Sequence, residues 1–149
     1  MVLNKVLMAL LWKITSHLWK KLWMVRVTVE IRKIFFWNCQ GAGHPRFHNV
    51  MNEYKKDFFS DLICSFETRV SRARVDGIIA KLGYPNSLKV EANRFASGIW
   101  LCWNENILVD ILEIHCYMIH LRIRSKQGPD SFICSTVYAS PHLTTRRKL

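Results

Sequence analysis

Hydrophobic and polar positions change period along the chain, and the changes mark its elements. Arg32–Trp37 is a β-branched and aromatic run that stops at Asn38 and enters a glycine turn, Gly41-Ala42-Gly43, which predicts a buried strand. After His44-Pro45 in a loop, Phe47, Val50, Met51, Tyr54 and Phe58 recur at the spacing of one helix face. Asp61–Phe66 reads as a second apolar strand ending at Glu67. Val70, Val75, Ile78, Ile79 and Leu82 predict a second helix, with Gly83 as its C-terminal cap. Tyr84-Pro85-Asn86-Ser87 reads as a turn. Strand-like segments then follow closely: Leu88–Ala92, Gly98–Trp103, Leu108–Ile114, Tyr117–Arg124 and Phe132–Tyr138, broken at Asn93–Ser97, Asn104–Asn106, His115-Cys116 and Gln127–Asp130. Strand, helix, strand, helix and then a meander is an α/β pattern with a mixed sheet.

Residues 1–30 follow a different pattern. Leu3, Leu7, Leu10, Ile14, Leu18, Leu22 and Val25 share one face of a helical projection, and Lys13, Ser16, His17 and Lys20 fall opposite. Acidic residues are absent until Glu30. The segment therefore predicts a basic amphipathic helix, and the boundary falls between an extension at 1–30 and a domain at 31–149. A signal peptide fits poorly, because Lys13 interrupts a short apolar stretch and no small-residue cleavage site follows. A membrane-surface helix or organelle presequence through residues 1–26 is one reading, since Trp, Leu and Lys partition to interfaces. The favoured reading is an extension packed on the domain, or a leader joined to it by a truncated reading frame.

Composition narrows the classes. The 149 residues are 50% hydrophobic with six Trp and eight Phe, which excludes a disordered chain. Twenty-two Lys and Arg against 11 Asp and Glu give a formal charge of +11. That surplus favours polyanions, either nucleic acid or an anionic membrane surface. The five cysteines lack zinc-site spacing and a disulfide-scaffold pattern, so they read as buried reduced thiols of a protein of the nucleus or cytoplasm. Each apolar run is too short to span a bilayer as a helix.

Three predicted strands end in groups suited to phosphodiester chemistry, and in an open α/β sheet chemistry gathers outside strand ends. Asn38 offers an acceptor and two donors that can orient a phosphate or a water. Glu67 is a hard-cation ligand of the kind Mg²⁺ takes alongside waters and substrate phosphate. Tyr138 has a hydroxyl that can donate to a phosphate oxygen. Arg69 and Arg46 are candidate cations for a nucleic-acid backbone. Each also has a plain structural reading: a turn asparagine, a carboxylate at the start of the 70–82 helix, and a strand-end aromatic whose body lies in the core.

Four stretches in order, Trp37-Asn38-Cys39-Gln40-Gly41, Glu67-Thr68-Arg69, Gly98-Ile99-Trp100-Leu101-Cys102-Trp103 and Val137-Tyr138-Ala139-Ser140-Pro141, resemble the endonuclease/exonuclease/phosphatase superfamily. Within it the match is to the endonuclease domain of plant LINE-type (non-LTR) retrotransposons, with motifs W-N-C-R-G-x-G, E-T-[RK] and G-G-[IL]-W-L-x-W. The resemblance covers about residues 31–149. It implies an α/β sandwich of two mixed sheets flanked by helices, and Mg²⁺-dependent nicking of DNA. On this resemblance Asn38 orients phosphate or the nucleophilic water, Glu67 ligates the metal and Tyr138 contacts the scissile phosphate. Gln40 and Ala96-Ser97-Gly98 depart from the motifs.

The family's later G-D-[FL]-N and S-D-H motifs do not occur in the sequence, which ends at Arg146-Arg147-Lys148-Leu149. The expectation is a truncated and inactive fragment with a metal half-site that binds Mg²⁺ weakly or not at all. Two further function classes stay open: a non-catalytic basic nucleic-acid-binding module, and a peripheral membrane or organelle-targeted protein.

Overall fold

A computed structural model describes residues 6–11, 23–29, 32–91, 98–115 and 118–138, and the side chains of 33–91, 98–115 and 118–137. Element order is β1 (Val6–Leu11), β2 (Trp23–Val29), β3 (Arg32–Asn38), α1 (Pro45–Phe58), β4 (Leu62–Phe66), α2 (Arg72–Lys81), β5 (Asn86–Val90), β6 (Ile99–Trp103), β7 (Ile107–His115), β8 (Met118–Ser125) and β9 (Ser131–Tyr138). The fold is α/β with two sheets, ordered β2-β3-β4-β6-β5 and β1-β9-β8-β7. Contacts divide the chain into two units, Leu22–Glu105 and Met1–Lys21 with Asn106–Leu149.

In the first unit β3 and β4 run parallel, and the remaining pairings are antiparallel. A parallel pair needs a long crossover, and α1 supplies it. His44 caps α1, its Nδ1 accepting from the Arg46 N–H at 3.1 Å, and Pro45 occupies the first turn, where its missing N–H costs nothing. Phe35, Trp37, Ile63, Trp100 and Cys102 on one sheet face form a core with Phe47, Met51 and Tyr54 of α1 and Val75, Ile78 and Ile79 of α2. The Phe35 and Tyr54 rings stack at 3.5 Å. Ile34, Phe36, Leu62, Cys64, Phe66 and Leu101 on the other face are equally buried. This explains why β4 reads as a continuous apolar run.

In the second unit β7, β8 and β9 form an antiparallel meander, and β1 joins β9 in parallel. Ile119, Leu121 and Ile123 of β8 and Phe132, Cys134 and Thr136 of β9 are buried with the period of two that a one-sided sheet requires. The opposite face carries His120 with Nδ1 2.6 Å from Ser135 Oγ, and Arg124 bonded to Asp110 at 2.9 and 3.0 Å.

Two expectations are corrected. Residues 6–11 and 23–29 are strands, not parts of an amphipathic helix. Val25-Arg26-Val27-Thr28-Val29 alternates and is β-branched, and β3 offers it a complete antiparallel partner. Pairing and packing decide strand formation more than intrinsic preference does. The predicted turn at 84–87 ends earlier, because Asn86 and Ser87 already pair with Trp103 and Cys102. The predicted break at Asn93–Ser97 and Cys116 of the next break lie outside the described residues.

Candidate functional site

Two of the predicted site residues meet. Asn38 ends β3, Glu67 directly follows β4, and the parallel pairing of these strands aligns Asn38 with Phe66. Asn38 Nδ2 donates to Glu67 Oε1 at 3.2 Å. Asn38 is 8% exposed and Glu67 1%. A carboxylate so buried requires partners. Arg69 Nη2 supplies a second, 2.6 Å from Glu67 Oε2. The Arg69 side chain is 55% exposed, so the cation reaches in from solvent to a buried anion. Asn38 Oδ1 is buried and accepts no hydrogen bond from the described residues.

The backbone that holds this cluster is unusual. Gln40, Glu67 and Arg69 are non-glycine residues in the left-handed region, with φ of 50°, 53° and 48°, a conformation costing about 1–2 kcal/mol per residue. Gly41 has φ 117°, which only glycine adopts easily. What offsets this cost is an extension of the β3–β4 ladder beyond the strands. The N–H groups of Cys39, Gly41 and Ala42 donate to the carbonyls of Phe66, Glu67 and Thr68 at 3.0, 2.8 and 2.8 Å. The Cys39 thiol donates to the Phe66 carbonyl at 3.2 Å, and burial pushes its pKa up to about 12, which disfavours the thiolate.

Other predicted residues lie elsewhere. Arg46 is exposed in the first turn of α1, and no hydrogen bond or ion pair among the described residues joins it to the cluster. Tyr138 is the last residue of β9, in the other unit, and its side chain lies outside the described residues. Glu67 does not start α2, whose N-cap position is Ser71. Sequence reasoning missed the pairing of Arg69 with Glu67, the burial of Thr68 and the left-handed turns. The polar run Glu67-Thr68-Arg69 between a strand and a helix was the available signal.

Chemically the site offers one carboxylate and one amide carbonyl oxygen, both hard donors. That set fits a loosely held Mg²⁺ completed by waters and phosphate. Among the described residues no group of three or more His, Cys, Asp or Glu could cage a metal ion. No protein-family model matches this chain, and no curated protein matches it.

Proposed function

We propose that Asn38, Glu67 and Arg69 form the cation- and phosphate-holding half of a Mg²⁺-dependent phosphodiester-cleaving site. The chain would then be the N-terminal portion of an endonuclease domain of the LINE retrotransposon type, with DNA as its partner. With that reading goes the family's fold, two mixed sheets in a helix-flanked sandwich. The observation that carries it is the buried contact between Asn38 and Glu67 at 3.2 Å. A turn asparagine and a helix-start carboxylate have no reason to be buried together beside an unpartnered Asn38 Oδ1.

Bound Mg²⁺ supplies charge neutralisation at the phosphate. Glu67 and Asn38 Oδ1 would hold the ion, and the half-exposed Arg69 guanidinium, now on the Glu67 carboxylate, would be the group to pair with a phosphate oxygen. These residues bind and orient; none is a general acid for the leaving oxygen. The formal +11 suits a polyanionic partner.

The test is Mn²⁺ titration of the purified chain, followed by electron paramagnetic resonance, with Glu67→Gln beside it. Weak binding that Glu67→Gln abolishes is expected, together with DNA binding that Mg²⁺ strengthens. Equal Mn²⁺ binding by both proteins sinks the reading. DNA binding indifferent to EDTA and to Glu67→Gln would point instead to a non-catalytic basic module.

A further inference from the structure

A second cleft opens at the opposite end of the same sheet. Glu67 follows β4 while Ser60 precedes it, and the five residues of that strand set the two ends about 17 Å apart. The cleft has a volume of about 710 Å³, and Lys55, Lys56, Phe59, Ser60, Tyr84 and Asn104 line it. That volume lies within the range of small-molecule sites, about 300–1,000 Å³.

Its wall is firmly held. The Ser60 carbonyl accepts from Tyr84 Oη at 3.1 Å and from Asn104 Nδ2 at 3.0 Å. The Asn104 N–H donates to the Asp61 carbonyl at 2.9 Å. Lys55 Nζ bonds to the Leu82 carbonyl and sits 4.6 Å from the Tyr84 ring centroid.

Two features stand out at this cleft. The Ser60 side chain is 1% exposed, yet its hydroxyl has no partner among the described residues. Buried hydroxyls are normally satisfied. Phe59 terminates α1 in the left-handed region, φ 49°, and the residue is 73% exposed. Its N–H caps the helix on the Lys55 carbonyl, but glycine or asparagine performs that task at lower cost. A large apolar ring held in water on strained backbone, beside two lysines, calls for an occupant.

We propose that this cleft binds a nucleotide unit bearing a terminal phosphate. The base stacks on Phe59, Lys55 and Lys56 hold the phosphate, and Asn52 and Asn104 offer hydrogen bonds to the polar edge of the base and the sugar. Each group is used by this ligand class. Inorganic phosphate leaves the ring idle, and a plain aromatic carboxylate leaves the amides and one lysine idle. Stacking of a base on an exposed aromatic beside cations that hold the phosphate is the means by which proteins bind single-stranded nucleic acid whatever the base.

The experiment is calorimetric titration of the full chain with 5′-AMP, adenosine and inorganic phosphate as separate probes. AMP is expected to bind at least about tenfold more tightly than either part alone. Phe59→Gly is expected to weaken AMP binding by about tenfold or more, the loss of one base–aromatic stack. That variant stays folded, because glycine takes the left-handed cap more easily than phenylalanine does. Lys56→Ala is expected to weaken phosphate-bearing probes and leave adenosine unchanged. AMP binding unaltered by Phe59→Gly, phosphate binding as tightly as AMP, or no AMP binding at all overturns the proposal.

Discussion

Replacing Asn38 by Asp sets a second carboxylate where an amide now donates to Glu67 Oε1 over 3.2 Å. The exchange preserves size and shape, so the effect is electrostatic and not one of packing. Two unit charges at that separation repel by about 5 kcal/mol at an effective dielectric of about 20. Burial of both side chains limits relief by solvent. Arg69, 2.6 Å from Glu67 Oε2, offsets part of the repulsion from its half-exposed position. A net loss of about 3 kcal/mol follows, a fall in melting temperature of roughly 6–12 °C for a chain of this size. The protein stays folded, since domains begin with about 5–15 kcal/mol. The assay is thermal unfolding by circular dichroism at neutral pH, repeated in acid and with Mg²⁺ or Ca²⁺. The like-charged neighbour raises the folded pKa of the new carboxyl above its unfolded value. The unfolded chain then gives up that proton first as pH rises, so the deficit is full above the raised pKa and fades as pH falls. A divalent ion between the two carboxylates raises the variant's melting temperature more than the wild type's. If Asn38→Asp melts with the wild type at neutral pH without divalent ions, the two side chains are not neighbours and the site is wrong.

Three further expectations follow from the same geometry. Gly41→Ala costs about 1–3 kcal/mol through its φ of 117° alone, since a Cβ there meets no atom within 4 Å; a urea midpoint equal to the wild type's contradicts this. Gln40→Gly raises the urea midpoint by a gain of about 1 kcal/mol, because relief of left-handed strain exceeds glycine's unfolded entropy; a lower midpoint refutes the turn. Burial pushes Cys39, Cys102 and Cys134 from 9.0 up to about 12. Each thiol stays protonated in the fold while the unfolded chain releases its proton. Stability therefore falls as pH rises above 9, and the fall is shallower in Cys102→Ala; equal slopes in the two proteins contradict this.

The helices and central strands were legible because their apolar spacing admits one period. Phe47, Met51 and Tyr54 cannot share a strand face, and Leu62–Phe66 is too short and too apolar to be a surface helix. Residues 6–11 and 23–29 were misread because a dense apolar segment satisfies both periods. Leu3, Leu7, Leu10 and Ile14 suggest a helix, while Val25, Val27 and Val29 suggest a strand, and the choice lay with a partner, β3 or β9, that local sequence does not name. For the site, a polar residue at each of two strand ends was visible, and parallel pairing brings those ends together. The Arg69 ion pair was not visible, since it depends on two left-handed residues. Nor was the Ser60 cleft, since it arises from loop conformation and from groups 24 and 44 residues apart.

The left-handed turn at Glu67 is what makes a site out of two strand ends. Asn38 and Phe66 are paired across parallel strands, so their side chains leave the same face of the sheet. A residue continuing β4 in extended form would direct its side chain to the other face, among Phe35, Ile63 and the helices. Glu67 there would be an unpaired carboxylate in an apolar core, which is costly unless the group takes up a proton. With φ at 53°, the chain instead turns the carboxylate back to the side of Asn38, and the Glu67 carbonyl still accepts from Gly41 at 2.8 Å. The turn thus keeps the ladder intact while reversing the side chain. Its backbone cost is offset in part by the Asn38 and Arg69 bonds it permits, and it is incurred where a buried anion sits beside an Asn38 carbonyl oxygen that has no partner among the described residues. On the proposed reading, strain falls at the point where a carboxylate is needed and glycine cannot supply it.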